Sequence, residues 1–394
     1  MKKVIVVGAG PAGMAAAYAA SKKAKVTLLE RNEAPGKKLL LTGSGKCNYS
    51  NDDMSAAAFN FDKNHALNSV IEKITPKDLE AFFAKNGLLS YKKGGLYYPK
   101  SEKSETVRDL FINLLSEAGV ECRYQSRVTG VSKENDTFFV TLEDKTVLEA
   151  DSLIIATGGK AYPSTGSDGA GYRLARELGH TVTFTYPGLT RLLTNDKEVL
   201  EAAGLRAKGR VSVYVDNELK GVEDGEIQFN DTGLSGICIF KLCSLISKDI
   251  EDRKDCVVKI DFLPEMSREE TKEYINEVCS NRKGVSKEKI LSDMFGQKCA
   301  EMIVKKTKEG DFVDAVKEMT VKITAHDSFN TAQVTIGGVD KDEVNETLES
   351  KITKGLFFAG EVLDVNGTCG GYNLHFAFAS GLIAGYAAGN EGEG

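Results

Sequence analysis

Three glycines near the start of the chain have the spacing that binds a dinucleotide. Gly8, Gly10 and Gly13 lie between an apolar, strand-like run (VIVV) and an alanine-rich, helical run that begins with Pro11 and Ala12. The first glycine permits a tight turn, the second lets a pyrophosphate approach the backbone, and the third lets the helix pack on the strand. The phosphates would then lie at the positive end of the helix. The sequence therefore predicts a dinucleotide site here.

A carboxylate follows at the distance expected for a ribose contact. The second strand-like run, KVTLLE, ends in Glu30, where an acidic side chain can hydrogen-bond an adenosine ribose. An acid at this position disfavours a 2′-phosphate, because like charges would meet. We therefore expect FAD or NAD at this site rather than NADP.

Two later glycine-rich segments favour FAD. The segment LIIATGGKAYPSTGSDGAGY resembles the ATGG segment of two-domain flavoproteins, and GLFFAGEVLDVNGTCGGYNLHFAFASGLIAG resembles their C-terminal flavin motif. In that motif an acidic residue, here Glu361, hydrogen-bonds the ribityl chain or the pyrophosphate region. A glycine-led helix start, here Gly370 to Leu374, directs its N–H groups at the pyrimidine edge of the flavin, where negative charge develops on reduction.

These motifs require a discontinuous domain. Strand, glycine turn and helix recur three times, which predicts a doubly wound α/β fold with ligands beyond the carboxyl ends of the strands. The middle of the chain differs, with alternating strand-like runs followed by amphipathic helical runs. One of these helices should begin at Ser267, because Ser267 and Glu270 have the spacing of a capping box. We predict a FAD-binding domain at 1–187 and 323–394, and an inserted substrate or cap domain at 188–322.

The chain also resembles the BaiN-like (YhiN-like) family of bacterial flavoproteins. The resemblance rests on GKKLLLTGSGKCNYSN, GGLYYPKSEKSETV, ATGGKAYPSTGSDGAGYRLARELGH, DTGLSGICIFKLCS and the long segment from QVTIGGV to CGGYN. It implies a Rossmann-like FAD domain split by an inserted β-barrel with a helical segment. Family members often carry Arg at Lys46, Asp at Asn366 and Thr at Cys369, so fine details of the flavin contacts differ here.

The motifs and the resemblance together give a set of predicted FAD contacts, which lie in eight short stretches of the chain. The residues are Gly8, Gly10, Pro11, Ala12, Gly13, Glu30, Arg31, Lys38, Leu39, Thr42, Gly43, Gly45, Lys46, Cys47, Asn48, Val128, Ala156, Thr157, Gly158, Gly159, Gly337, Gly338, Gly360, Glu361, Gly371, Tyr372, Asn373 and Leu374.

Cys47 stands in the segment that the resemblance places beside the flavin, and three interpretations are open. The small side chain, with Gly43 and Gly45, lets a loop lie against the cofactor while Asn48 hydrogen-bonds it. Alternatively, the sulfur tunes the flavin electronically, or Cys47 forms a dithiol with Cys369. The last requires Cα atoms within about 7 Å.

The resemblance implies an enzyme that reduces conjugated ring enones in bile-acid intermediates. The chain has no second G-x-G-x-x-G after a later strand, so NAD(P)H would bind transiently as the electron donor. Candidate proton donors are Tyr98, Tyr162, Tyr372 and His375, each with a packing role as the alternative. A flavin amine oxidase using oxygen stays open, and so does a non-catalytic flavin sensor or a tRNA-modification partner.

Composition and charge narrow the classes of partner, metal site and cellular location that we expect. The net charge is −6 and no long basic block occurs, so we expect a small-molecule substrate and no nucleic acid or membrane. The eight cysteines and four histidines show no zinc spacing, so we expect no metal site. The apolar run near the N-terminus is too short for a signal peptide, which predicts a cytoplasmic protein. The oligomeric state is not predicted.

Overall fold

The structure is a computed structural model that describes residues 1–307 and 312–390. The strands are β1 Lys3–Val7, β2 Lys25–Leu29, β3 Ser50–Asn51, β4 Ser90–Lys93, β5 Leu96–Pro99, β6 Glu121–Arg123, β7 Val128–Glu134, β8 Thr137–Leu142, β9 Val147–Ala150, β10 Ser152–Ile155, β11 Tyr186–Gly188, β12 Leu192–Leu193, β13 Arg206–Val215, β14 Glu218–Phe229, β15 Gly233–Ser235, β16 Cys256–Asp261, β17 Met319–Ile323, β18 Ala325–His326, β19 Val334–Ile336 and β20 Leu356–Phe358.

Helices connect and cover these strands. The α-helices are α1 Pro11–Ala20, α2 Asn68–Lys73, α3 Pro76–Lys85, α4 Ser104–Glu117, α5 Ala170–Glu177, α6 Lys197–Glu201, α7 Ile237–Glu251, α8 Arg268–Asn281, α9 Lys287–Phe295, α10 Gln297–Lys306, α11 Phe312–Lys317 and α12 Tyr372–Gly389. Short 3-10 segments are Leu39–Gly45, Ala56–Ala58, Pro163–Thr165, Lys341–Glu343 and Gly360–Val362. No helix in 1–307 or 312–390 combines the length and apolar character needed to cross a bilayer.

The chain forms two compact units. Unit 1 comprises Met1–Thr185 and the chain from Val334 onward, and unit 2 comprises Tyr186–Gln333. The insert is predicted to end at residue 322, whereas unit 2 continues to Gln333 and includes the pairing of β18 with β12. Sequence could not reveal that pairing, since the two strands are short and more than 130 residues apart. Residues 308–311 and 391–394, which fall in the predicted second and third segments, lie outside the described residues.

The core of unit 1 is a parallel sheet, which confirms the predicted α/β fold of Rossmann type. Its five strands have the order β20-β10-β1-β2-β6, and every pair is parallel. The strands β1, β2, β10 and β20 therefore end at the same edge, at Val7, Leu29, Ile155 and Phe358. Because the three glycine-rich segments follow three of these strand ends, the fold brings them together.

Two small antiparallel sheets complete unit 1. One has the order β3-β5-β4 and the other β7-β8-β9. Helices α1 and α12 pack closely, since a Cβ at Gly381 would lie 2.3 Å from the carbonyl oxygen of Ala12. This close contact places the first turn of α1 against the middle of α12.

Unit 2 has its own core around an antiparallel sheet with a helical segment, α8 to α11. The sheet order is β17-β16-β13-β14-β15-β12-β18. Alternate residues of β13, including Val211, Val213 and Val215, are buried with Ile239 and Leu242 of α7. The predicted β-barrel is not confirmed, because no ladder joins β17 to β18 among the residues that the structure describes.

Candidate active site

The first glycine loop forms an open, uncapped helix start. Gly8 has φ +102°, and a Cβ on Gly13 would lie 1.8 Å from the carbonyl oxygen of Gly8, so neither position accommodates another residue without movement. Gly10 differs, because a Cβ there meets no atom of the described chain within 4 Å. Gly10 is the N-cap of α1, no side chain caps it, and the first turn holds no acid. These N–H groups and the open space beside them suit a pyrophosphate.

Glu30 is a buried carboxylate that orders this loop. One carboxylate oxygen accepts the N–H of Ala9 at 2.8 Å, and the other accepts the backbone and side-chain N–H groups of Asn32 at 2.9 and 2.7 Å. Such charge-assisted bonds hold the ends of β1 and β2 in register. Arg31 pairs with Asp168 in the structure, and its contact with FAD stays a prediction. The sequence offered no signal for that partner, which is 137 positions away.

A second charged group lies where β20 ends. The Nζ of Lys38 is 2.6 Å from Oε2 of Glu361, and both side chains are about one-fifth exposed. The backbone N–H of Thr335 donates to Oε1 of Glu361 at 2.7 Å. The hydroxyl oxygen of Thr335 accepts the N–H groups of Lys160 and Ala161 at 2.7 and 3.0 Å. Thr335 thus links the ATGG segment to Glu361.

Thr335 is missing from the predicted contacts. The one signal that could have identified it is its position two residues before the Gly337-Gly338 pair. Both glycines lie at close backbone crossings: a Cβ on Gly337 would be 2.1 Å from the carbonyl oxygen of Phe184, and one on Gly338 would be 2.7 Å from that of Val362. They therefore serve packing in this structure.

Cys47 is fully buried in a tight loop. Its φ is +56°, and its N–H donates to the carbonyl of Thr42 at 3.0 Å. Burial raises the pKa of the thiol to about 12, so it stays protonated and unreactive at neutral pH. No disulfide joins it to Cys369 within the described ranges. This environment favours the packing interpretation over the electronic and dithiol interpretations.

Asn48 positions α12 through the protein's own backbone. With the amide oriented so that both of its polar atoms are satisfied, its nitrogen donates to the carbonyls of Ser50 and Tyr97 at 3.0 and 3.2 Å, and its oxygen accepts the N–H of Gly371 at 3.3 Å. A hydrogen bond from this side chain to the cofactor stays a prediction. Asn373 likewise bonds Gly367 in both directions, at 2.8 and 2.7 Å, so any contact it makes with a cofactor would use its backbone.

The remaining predicted contacts fall into four places. Ala156, Thr157, Gly158, Gly159 and Gly360 follow β10 and β20 at the sheet edge; Leu39, Thr42, Gly43, Gly45 and Lys46 lie in the loop around the 3-10 segment Leu39–Gly45; Tyr372 and Leu374 begin α12. Val128 starts β7 and pairs with Leu142 in the separate β7-β8-β9 sheet.

The four candidate proton donors have different surroundings. His375 is fully buried, with Nδ1 2.8 Å from the hydroxyl of Ser50 and Nε2 2.8 Å from the carbonyl of Ile74. Burial lowers its pKa to about 4, so a neutral ring donates to Ile74 and accepts from Ser50. His375 is therefore a core residue, and the predicted proton-donor role does not fit. Tyr372 is also buried, edge-on to Phe59 at 5.9 Å.

Two tyrosines remain partly exposed. Tyr162 has a left-handed backbone (φ 55°, ψ 62°) at the start of a 3-10 turn. Tyr98 lies on β5 and stacks on Tyr91, with ring centroids 5.4 Å apart. Burial raises its pKa, Lys46 lowers it, and Cys369 and Glu102 raise it further. No group of three or more metal-ligating side chains occurs in the described part of the chain.

The residues at the sheet edge fit FAD. The open space beside Gly10, at a helix start with no acid in its first turn, accommodates an anionic pyrophosphate. Glu30 and Glu361 supply acceptors for ribose and ribityl hydroxyls, and the start of α12 has no side-chain cap. These backbone N–H donors and carboxylate acceptors therefore match both ends of a flavin dinucleotide.

Comparisons with known proteins agree with this arrangement. A profile described as HI0933-like protein Rossmann domain matches residues 2–387. The chain is 34% identical to the 3-dehydro-bile acid delta(4,6)-reductase of Clostridium scindens, over 98% of this chain and 99% of that protein. It is 29% identical to the ribosomal RNA dihydrouridine synthase of Escherichia coli, over 95% of each.

A solved structure shows the same fold. The 3-ketosteroid-delta4-(5alpha)-dehydrogenase of Rhodococcus jostii superposes with a TM-score of 0.50 and 15% identity, covering 99% of this chain and 97% of that one. At this identity the likeness concerns the fold alone.

Proposed function

The chain belongs to the HI0933-like Rossmann-domain family, and from that premise we propose a FAD-dependent oxidoreductase that uses NAD(P)H to reduce an activated carbon–carbon double bond. The observation that carries the proposal is the shared sheet edge of unit 1. There the open helix start at Gly10 lies with the Lys38–Glu361 pair and the carboxylate of Glu30.

Each part of this edge has a role towards the cofactor. The N–H groups at the start of α1 would hold the pyrophosphate, and Glu30 the adenosine ribose. Lys38 fixes the rotamer of Glu361, so its carboxylate is oriented before binding. Bound FAD would take two electrons from a nicotinamide donor and pass them, with one hydrogen, to the β-carbon of the acceptor.

Relatives support the class of acceptor. The Clostridium scindens protein is named as a reductase of a dehydro bile acid. The Escherichia coli protein is named for dihydrouridine, the product of saturating a ring double bond that is conjugated to a carbonyl. Both names describe the saturation of an activated double bond. A steroid-type ring enone is our first candidate acceptor, since the bile-acid relative shares more identity with this chain.

A uridine in RNA is the second candidate, because the Escherichia coli relative aligns over nearly the whole chain. The net charge of −6 counts against it, since RNA-binding surfaces are usually basic. An oxygen-dependent amine oxidase and a flavin sensor are the remaining alternatives. A cytoplasmic location and the absence of a nucleic-acid partner stay predictions.

The test is an anaerobic titration of the FAD-loaded protein with NADH and then NADPH, followed by flavin absorbance. We expect one nucleotide to bleach the flavin, and a conjugated 3-oxo steroid to restore its absorbance. Unmodified ribosomal RNA is the second acceptor, with dihydrouridine measured in the product. An amine that bleaches the flavin when neither nucleotide does would contradict the proposal and favour the oxidase.

A further inference from the structure

The hairpin formed by β4 and β5 is attached to the segment that precedes α12. Strand β5 pairs with β3, with Ser50 opposite Tyr97 and Asn51 opposite Leu96. The side-chain amide of Asn51 then donates to the carbonyl of Gly370 at 2.9 Å. The hairpin is therefore held beside the glycine-led start of α12, where we expect the flavin ring.

Tyr98 lies on this hairpin with an available hydroxyl. Its neighbours Tyr97 and Pro99 are buried, whereas Tyr98 is half-buried, as the alternation of a strand requires. Stacking on Tyr91, with an interplanar angle of 23°, fixes its ring. The hydroxyl forms no hydrogen bond within residues 1–307 and 312–390.

Charged and titratable groups surround that hydroxyl. Lys46, Glu102 and Cys369 all act on it electrostatically, and Cys369 is the residue directly before Gly370. The Nζ of Lys46 is 2.8 Å from Oε2 of Glu102, and both side chains are about half exposed. Because burial is the largest influence and raises the pKa, the phenol stays protonated at neutral pH.

Saturating an enone requires an acid as well as electrons. The β-carbon gains a hydrogen with two electrons, so the α-carbon has to gain a proton. The acid must reach the substrate and carry a proton at working pH. His375 is buried with both ring nitrogens engaged, and Tyr372 is buried against Phe59. Of the two partly exposed candidates, Tyr162 and Tyr98, Tyr98 lies on the hairpin whose neighbouring strand is hydrogen-bonded to Gly370, just before α12.

We propose that Tyr98 is the general acid that protonates the α-carbon of the acceptor, an assignment that rests on the function proposed above. The O–H bond of the phenol breaks as the α-carbon to hydrogen bond forms, and solvent returns the proton to the phenolate. In sum, the enone, NAD(P)H and one proton yield the saturated ketone and NAD(P)⁺. The Lys46 ammonium stabilises the transient phenolate, screened by solvent because it is half exposed.

The test separates the two half-reactions in Tyr98→Phe. Phenylalanine keeps the ring and its stacking, so FAD content and the rate of flavin reduction by NAD(P)H should equal those of the wild type. Reoxidation by the enone should slow by about 100-fold or more. Tyr91→Phe, which removes a hydroxyl from the same hairpin, is the matched control and should reoxidise at the wild-type rate.

Two further readouts distinguish an acid from a packing residue. The wild-type reoxidation rate should fall as pH rises through the pKa of Tyr98, and the slow Tyr98→Phe rate should lack that step. In FAD-free protein, the phenolate absorbance of the wild type minus that of Tyr98→Phe should show one phenol titrating above pH 10.

The results distinguish a failure of the Tyr98 assignment from a failure of the proposed function. Reoxidation of Tyr98→Phe at the wild-type rate, in a wild type that does reduce the enone, would overturn the role of Tyr98 and leave the proposed function intact. A wild type that neither nucleotide bleaches, or that no enone reoxidises, would overturn both. Equal losses in Tyr91→Phe and Tyr98→Phe would overturn the role of Tyr98 as the acid, and would show that the polar groups around Glu102, to which the Tyr91 hydroxyl is hydrogen-bonded, matter instead.

Discussion

At the scale of single residues, burial decides which side chains take part in chemistry. Cys47 and His375 both stand in glycine-rich flavin motifs, yet each is fully buried and satisfied by nearby protein groups. Burial moves both pKa values away from the charged form, up for the thiol and down for the imidazole. Neither group ionises near neutral pH, so their contribution is to packing and hydrogen bonding.

His375 should make stability fall in mild acid. Its pKa is lowered from 6.5 to about 4 on folding, so between those values the unfolded chain binds the proton. The free energy of unfolding is therefore fully supported above pH 6.5 and decreases as pH falls. From pH 7.5 to 5 we expect a loss of about 2 kcal/mol from this residue. Urea unfolding of the wild type and His375→Gln at both pH values measures it, and equal losses would contradict the prediction.

Lys38→Met should weaken FAD binding and lower stability. The change leaves the carboxylate of Glu361, which is about one-fifth exposed, without its cation. We expect a loss of about 1–3 kcal/mol in unfolding free energy and at least about a 10-fold rise in the Kd for FAD. Urea unfolding and flavin fluorescence titration give the two values. Lys73→Met, which breaks an exposed pair with Glu346, should cost less than about 1 kcal/mol and leave the Kd unchanged.

At the scale of elements, the glycine turns set how closely helices and strands approach. A side chain at Gly13 would collide with Gly8, and one at Gly381 with Ala12, whereas Gly10 faces open space. The same motif thus contains glycines needed for folding and one available to a ligand. Helix α8 also begins where the sequence predicts. Both hydrogen bonds of the predicted capping box between Ser267 and Glu270 are present, at 3.1 and 2.7 Å.

Gly10→Ala and Gly13→Ala form a matched pair. Gly10 has φ −78° and no atom near its Cβ position, so alanine there should leave the melting temperature of the FAD-free protein within about 1 °C. Its methyl group would occupy the space of the pyrophosphate, so the Kd for FAD should rise at least about 10-fold. Gly13→Ala should instead lower stability by about 2 kcal/mol or more, through overpacking.

Thermal unfolding with and without FAD measures both variants. Unchanged FAD affinity in Gly10→Ala would contradict the assignment of the site. A folded, fully stable Gly13→Ala would show that α1 can shift away from β1.

At the scale of the whole molecule, two hydrophobic cores share one chain. Unit 1 is built around the parallel sheet and holds every predicted FAD contact, and unit 2 is built around the antiparallel sheet. Because each unit has its own separate cluster of buried side chains, a ligand of unit 1 should stabilise that unit selectively.

Calorimetry tests this division. We expect two unfolding transitions, of which FAD at 100 times its Kd raises one by about 5–10 °C, since it adds about 2.7 kcal/mol to unit 1. The other transition should not move, and the shift should diminish in Gly10→Ala. A single transition that moves as a whole with FAD would mean that the two cores unfold together.

The amino-acid sequence by itself determined the dinucleotide site and the class of fold. The glycine spacing, the strand runs and the position of Glu30 are local steric and charge patterns. Parallel strands must also end at one edge, which brings the three glycine segments together. Those features depend on residues close in sequence, so they could be predicted.

Only the tertiary structure decided which side chains are available for chemistry. His375 meets Ser50 across 325 positions, Arg31 meets Asp168 across 137, and β12 pairs with β18 at the end of unit 2. Such burial, hydrogen bonds, ion pairs and strand pairings arise from contacts between segments that are distant in the chain. No local pattern encodes them, because a residue's type does not specify which remote group will cover it.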